Sequence, residues 1–213
     1  RVLLMRLASQ SFLRDATKKG VSNYWLFRIM KNRPSLLPQL DEVVTFVNTY
    51  QGQVGGFSNA WMIAIGQGIE NAPSWVRDVL PKVKETARHV RNERNAWAIY
   101  INQGSRKGSR WVRQAKPLVS KLAPQVGGEN NAWEIVIGLG LEGAEEWVRG
   151  RKRRVNQKIK AGMHRAQAWN RELRTALPSE DRRAEARTVT AERGIDEGFL
   201  IGDSIGVFVS AMM

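Results

Sequence analysis

The chain has 213 residues, a 42% apolar share and a formal net charge of +14, from 34 Lys and Arg against 20 Asp and Glu. That apolar share supports a packed core, and no run of 18 uncharged apolar residues offers a membrane span. Cysteine is absent and His89 and His164 are the only histidines, which excludes disulfides, thiolate metal sites and a cysteine nucleophile, and leaves no histidine set for a zinc site. A one-signed surplus of this size points to a polyanionic partner, nucleic acid or an anionic membrane surface.

Residues 1–22 are basic, contain serine and carry Asp15 as their one acid. This is the composition of an organellar transit peptide or of the residues following one. The same residues also suit an amphipathic helix that caps the next element and stops at Gly20. Both readings stand. The chain opens on Arg1, so either a leader has been removed or further residues precede it.

From residue 23 onward a grid of 36 residues governs the sequence. Asn59-Ala60-Trp61 returns as Asn95-Ala96-Trp97 and Asn131-Ala132-Trp133, and Trp25 and Trp169 lie one step outside them. Trp75, Trp111 and Trp147, each opening a Trp-Val-Arg triplet, hold a second column. A strict period is the mark of repeat units that bury their apolar faces against each other. The expected domain is 23–177, in units 23–58, 59–94, 95–130 and 131–166 with a partial unit 167–177. The first unit is the least regular, with Gln39 where the second tryptophan would stand and with Pro34 and Pro38 inserted.

In the three central units the asparagine is expected to cap a helix, with Glu134 completing a capping box in the third. The segments WMIAIGQG, WAIYINQG and WEIVIGLG follow, and Gly68, Gly104 and Gly140 are expected to stop the helix in a left-handed conformation. Trp, Ile and Ile at every second position also fit a strand. The intervening residues are apolar too, which suits a short helix buried on all sides, and helix is the expectation.

A second helix is expected from each Trp-Val-Arg. Pro81 and Pro117 fall inside two of these helices and are expected to kink or restart them, whereas the third carries Arg153 at that column and is expected to run straight. Gly55-Gly56 and Gly127-Gly128 mark turns between units. The fold expected is all-α, an α-solenoid of helical hairpins with a 36-residue period. Residues 178–213 form a charged and then apolar extension, whose last part, 196–213, reads as a docking segment for the stack or for a neighbouring protein.

The segment Phe57-Ser58-Asn59-Ala60-Trp61, running to a glycine, and the opening Ala72-Pro73-Ser74-Trp75 resemble the octotricopeptide and heptatricopeptide class of helical repeats of organellar RNA-binding proteins. The match covers about 23–170. It departs in its shorter period, in a tryptophan one residue nearer the asparagine, and in isoleucines where the family has leucine and alanine. The resemblance implies paired antiparallel helices stacked as a solenoid, with RNA as ligand. The Trp-x-x-Leu-Gly-x-x-Tyr arrangement of tetratricopeptide repeats is absent.

Tryptophans on such a grid could stack on bases, but their isoleucine and valine neighbours assign all eight, Trp25, Trp61, Trp75, Trp97, Trp111, Trp133, Trp147 and Trp169, to the repeat core. The binding candidates are basic. Arg77, Arg113 and Arg149 hold one column and would form a ladder suited to phosphates, or would pair with neighbours such as Asp78 and Glu145. Arg106, Lys107, Arg110, Arg113 and Lys116 make one patch. Arg149, Arg151, Lys152, Arg153 and Arg154 make the densest, with Lys158 and Lys160 beyond it.

No phosphate-binding loop, nucleophile elbow or metal-spaced cluster occurs, and the adjacent acids Asp41-Glu42 and Glu145-Glu146 cannot clamp one substrate from a helix. A non-enzymatic protein without cofactor or metal is expected. It would be an RNA-binding component of a mitochondrial ribosome (or its plastid counterpart) that contacts rRNA and neighbouring proteins. A free organellar RNA-stability or translation factor, or a scaffold subunit of a large complex, are the alternatives.

Overall fold

The computed structural model describes residues 21–176. Gly20, nearly all of the 1–22 segment and the whole 178–213 extension, with its docking segment, lie outside the described residues. All regular structure among the described residues is helical. The elements are α1 (Asn23–Asn32), a 3-10 turn (Pro34–Leu36), α2 (Leu40–Tyr50), α3 (Phe57–Gln67), α4 (Ala72–Ala87), α5 (Glu93–Gln103), α6 (Gly108–Val126), α7 (Glu129–Lys160) and α8 (Arg165–Ala176). The Trp-x-Ile-x-Ile segments are therefore helices, and their apolar residues on every side are explained by burial. Ile63, Ile99 and Ile135 are each at most 1% exposed.

The chain divides into two compact units, Arg1–Pro81 and Lys82–Met213. In the first, Trp25 and Trp61 stack with ring centroids 5.2 Å apart and planes 12° from parallel. Phe57 meets Trp61 edge-on at 6.0 Å. Leu26, Ile29, Val43 and Val47 close the core around them. The irregular stretch that Pro34 and Pro38 announce becomes the 3-10 turn, and Gln39 stands at the N-cap of α2. Arg33 donates from Nη2 to the carbonyl of Gly66 at 3.0 Å, placing a cation on the last turn of α3, where the helix dipole favours it.

In the second unit Trp97, Trp133 and Trp169 are buried, as are the alanines that precede them, Ala96, Ala132 and Ala168. Tyr100 takes a core position by sharing hydrogen bonds at 2.9 Å with the hydroxyls of Thr86 and Ser109. A buried phenol needs such partners. Room for its ring comes from Gly108, where a Cβ would stand 2.4 Å from the Tyr100 ring.

Three local expectations are corrected. The helices begin at Phe57, Glu93 and Glu129, two residues before the asparagines, so Asn59, Asn95 and Asn131 are not N-caps. Their side chains donate, each reaching back to a valine carbonyl: Asn59 to Val54 at 2.8 Å, Asn95 to Val90 at 3.0 Å and Asn131 to Val126 at 2.9 Å. In α5 the cap is Asn92, whose side chain accepts from the Asn95 backbone N–H at 2.8 Å. The capping box fails for the same reason, and Glu134 accepts from Asn130 instead.

Second, of the kink or restart expected at Pro81 and Pro117 the restart does not occur: α4 and α6 continue through both prolines. Each proline leaves one carbonyl four residues back without its helical partner. Those carbonyls belong to Arg77 and Arg113, on exposed faces where water can take the bond.

Third, Gly68, Gly104 and Gly140 combine φ of 81°, 78° and 76° with ψ of 153°, 161° and 175°. This is an extended positive-φ conformation reserved for glycine, not the left-handed helical one. Gly140 breaks α7 into arms 129–139 and 141–160, and the second arm carries no further non-helical residue.

Candidate functional site

Once the boundary at 81/82 is known, the charge of the described residues proves to be segregated. Residues 21–81 hold four Lys and Arg and four Asp and Glu, a net of zero. Residues 82–176 hold 21 Lys and Arg against eight Glu, a net of +13. Within that unit 104–128 and 147–171 contain no acid at all. The first includes six basic residues and the second nine.

Helical geometry sorts these cations by face. Along the second arm of α7, Ala144, Val148 and Val155 are buried and mark the inward side. Arg149, Lys152, Arg153, Asn156 and Lys160 follow at intervals of three, one, three and four residues, which gathers them in one strip about 100° wide beside that inward side. All five are exposed. From Arg149 to Lys160 this row extends about 16 Å at 1.5 Å per residue. On α6, Val112, Ala115, Val119 and Leu122 are buried, and Arg110, Arg113 and Lys116 are exposed. Arg106 and Lys107 are exposed in the turn before that helix. None of these exposed cations has a carboxylate in ion-pair reach among the described residues.

Other members of the predicted set have different surroundings. Arg77 lies in the first unit, 79% exposed, with its Nε 3.8 Å from the Asp78 carboxylate. A contact so exposed adds little to stability. Arg151, Arg154 and Lys158 turn toward α8 and converge on Glu172, whose side chain is 7% exposed. The Nε atoms of Arg151 and Arg154 lie 3.9 and 3.6 Å from one carboxylate oxygen, and Lys158 hydrogen-bonds the other. Arg151 also rests its guanidinium 5.5 Å from the centre of the Trp147 ring, a cation–π contact. These three side chains join α7 to α8. Glu145, weighed as a partner of the arginine column, instead accepts from Lys121 at 2.8 Å, joining α6 to α7.

Sequence reasoning missed Glu172 as an anchor. Its one sequence signal is that it ends the acid-free run begun after Glu146.

The two tryptophan columns also part company. Trp25, Trp61, Trp97, Trp133 and Trp169 are at most 2% exposed and belong to the core. Trp75, Trp111 and Trp147 are only half-buried, and Trp147 packs against Trp169 with centroids 6.1 Å apart.

Among the described residues no group of three or more His, Asp and Glu is placed to hold a metal ion. No described helix is long and apolar enough to cross a membrane. Compared with protein-family models, curated proteins and solved structures, the chain finds no match.

Proposed function

We propose that the chain is an RNA-binding protein of the helical-repeat class, a non-catalytic component of a mitochondrial ribosome that contacts rRNA through residues 82–176. The repeat units would stack as a solenoid with a 36-residue period, the arrangement that the octotricopeptide-like segments imply. One observation carries the reading: the whole +13 of the described residues falls in one unit, where Arg106, Lys107, Arg110, Arg113, Lys116, Arg149, Lys152, Arg153 and Lys160 are exposed without a carboxylate in ion-pair reach among the described residues. Cations held together on a helix face repel one another, and a phosphate backbone removes that cost while releasing its own counterions. The sites of contact are Arg106 and Lys107 in the turn before α6, Arg110, Arg113 and Lys116 on it, and Arg149, Lys152, Arg153 and Lys160 on α7. The basic, acid-poor residues 1–22 support a mitochondrial location, with the plastid as the alternative.

Sedimentation of the native protein tests the assembly. Co-migration with ribosomal particles, lost on RNase treatment, is the expected result. An RNase-sensitive pool free of ribosomes would favour a stability or translation factor, and an RNase-insensitive assembly would favour a protein scaffold. RNA affinity itself should fall steeply with salt, with a log–log slope of about −0.7 to −0.9 per phosphate contact. A flat salt dependence would overturn the reading.

A further inference from the structure

We infer that the basic faces of α6 and α7 hold the phosphate backbone of paired, helical RNA and do not read unpaired bases. The inference rests on the RNA-binding reading above and concerns which form of RNA the same surface takes.

Proteins that bind single strands combine a basic groove with exposed aromatic rings on which successive bases stack. Residues 82–176 present exposed cations without fully exposed rings. Trp97, Tyr100, Trp133 and Trp169 are at most 2% exposed. Trp111 and Trp147 are half-buried, and the Trp147 ring is already engaged by Trp169 and by the Arg151 guanidinium. Residues 82–176 contain no phenylalanine and no other tyrosine. The exposed large apolar side chains of the described residues, Phe27 and Met30, both belong to the first unit.

What the basic unit does present is a set of cations on regular helices. Arg149, Lys152, Arg153 and Lys160 share one side of a continuous helical arm, so the spacing of their backbone positions is set by the helix. A fixed row of cations is matched by a ligand whose phosphates are also fixed and closely spaced, which describes a duplex better than a flexible strand. Contacts of this kind position the ligand without carrying sequence information. Double-stranded RNA, recognised by shape and backbone, supplies the partner chemistry this surface can use.

The test is fluorescence anisotropy of the full chain with a fluorescein-labelled 20-base-pair RNA duplex, the same labelled strand unpaired, and a second duplex of unrelated sequence. The expected result is at least tenfold tighter binding of the duplex than of the strand, with the two duplexes within twofold of each other. The double variant Lys152→Glu/Arg153→Glu should weaken duplex binding at least tenfold, and Trp111→Leu should leave it within twofold. Circular dichroism of each variant checks that the helices remain. Tighter binding of the single strand, a preference above tenfold between the duplexes, or a tenfold loss with a folded Trp111→Leu would overturn this inference while leaving RNA binding intact. No binding to any of the three probes would overturn the RNA-binding reading and this inference with it.

Discussion

The side-chain amide of Asn95 donates to the carbonyl of Val90, five residues before it, and the same bond recurs between Asn131 and Val126 and between Asn59 and Val54. It fastens the third residue of each helix to the turn that leads into it. Asn131 adds a bond to the Ala166 carbonyl at 3.1 Å and so ties α7 to α8. Replacing Asn95 by Ala strands a buried carbonyl and should cost about 1–3 kcal/mol. Asn95→Asp should cost at least as much, because an ionised carboxylate cannot donate. Urea unfolding of the two variants checks both values, and a loss near zero would show that the carbonyl finds another partner.

The tryptophan columns make a second prediction. Trp97 is wholly buried, and Trp97→Ala should cost about 3–5 kcal/mol. Trp111 is half-buried, and Trp111→Ala should cost less than half as much, since less apolar area is lost from the interior. Denaturant midpoints measured on both variants would compare the columns directly. Equal losses would mean that exposure is a poor guide to the role of the second column.

Glu172 is the anionic centre of a cluster with three cations. In Glu172→Gln the side chain keeps its size but loses its charge, leaving Arg151, Arg154 and Lys158 to repel one another. The cost should be about 2 kcal/mol, below the usual range for a broken buried pair because Arg154 is 54% exposed and water screens it. Added salt should narrow the gap between variant and parent. A stability difference independent of salt would assign the residue a packing role instead.

Gly108 and Tyr100 are coupled by space. Gly108→Ala places a methyl group against the Tyr100 ring and should destabilise the unit by about 1–3 kcal/mol, the usual range for overpacking. The corresponding positions one repeat later hold Ala144 and Val136, both buried. The double variant Gly108→Ala/Tyr100→Val restores that pairing, so its cost should fall short of the sum of the two single changes. A double-mutant cycle measures the difference, and strict additivity would deny the coupling.

The parts of this fold that were legible in the sequence are the ones that repeat. Tryptophan, alanine and isoleucine recur where burial recurs, and the glycines at 68, 104 and 140 announce the joints because other residues are strained there. The helix starts were misplaced because asparagine is both a common cap and a good donor, and its sequence position alone does not say which role it takes. The real cap of α5, Asn92, has glycine at the matching positions 56 and 128, so no column revealed it. Arg91 was hidden similarly. It holds a φ of 76° where its counterparts are Gly55 and Gly127, and its Nε pairs with Glu129. The division of the basic residues into exposed and anchored sets depends on α8 meeting α7. Glu172 is distant in sequence from Arg151, and only tertiary packing joins them.

The three glycine joints share nearly one backbone conformation, and the buried columns between them differ far less than the exposed ones. Surface and interior are thus written in separate registers of the same 36-residue cassette. Residues on the outer side of α6 can change charge, or lose it, without disturbing the positions that let a unit fold. A duplicated cassette spanning 104–139, inserted ahead of Gly140, would begin and end on matching backbone. In such a chain the length of the cationic surface becomes a heritable variable, one that duplication can extend by whole steps while point substitution adjusts each step by itself.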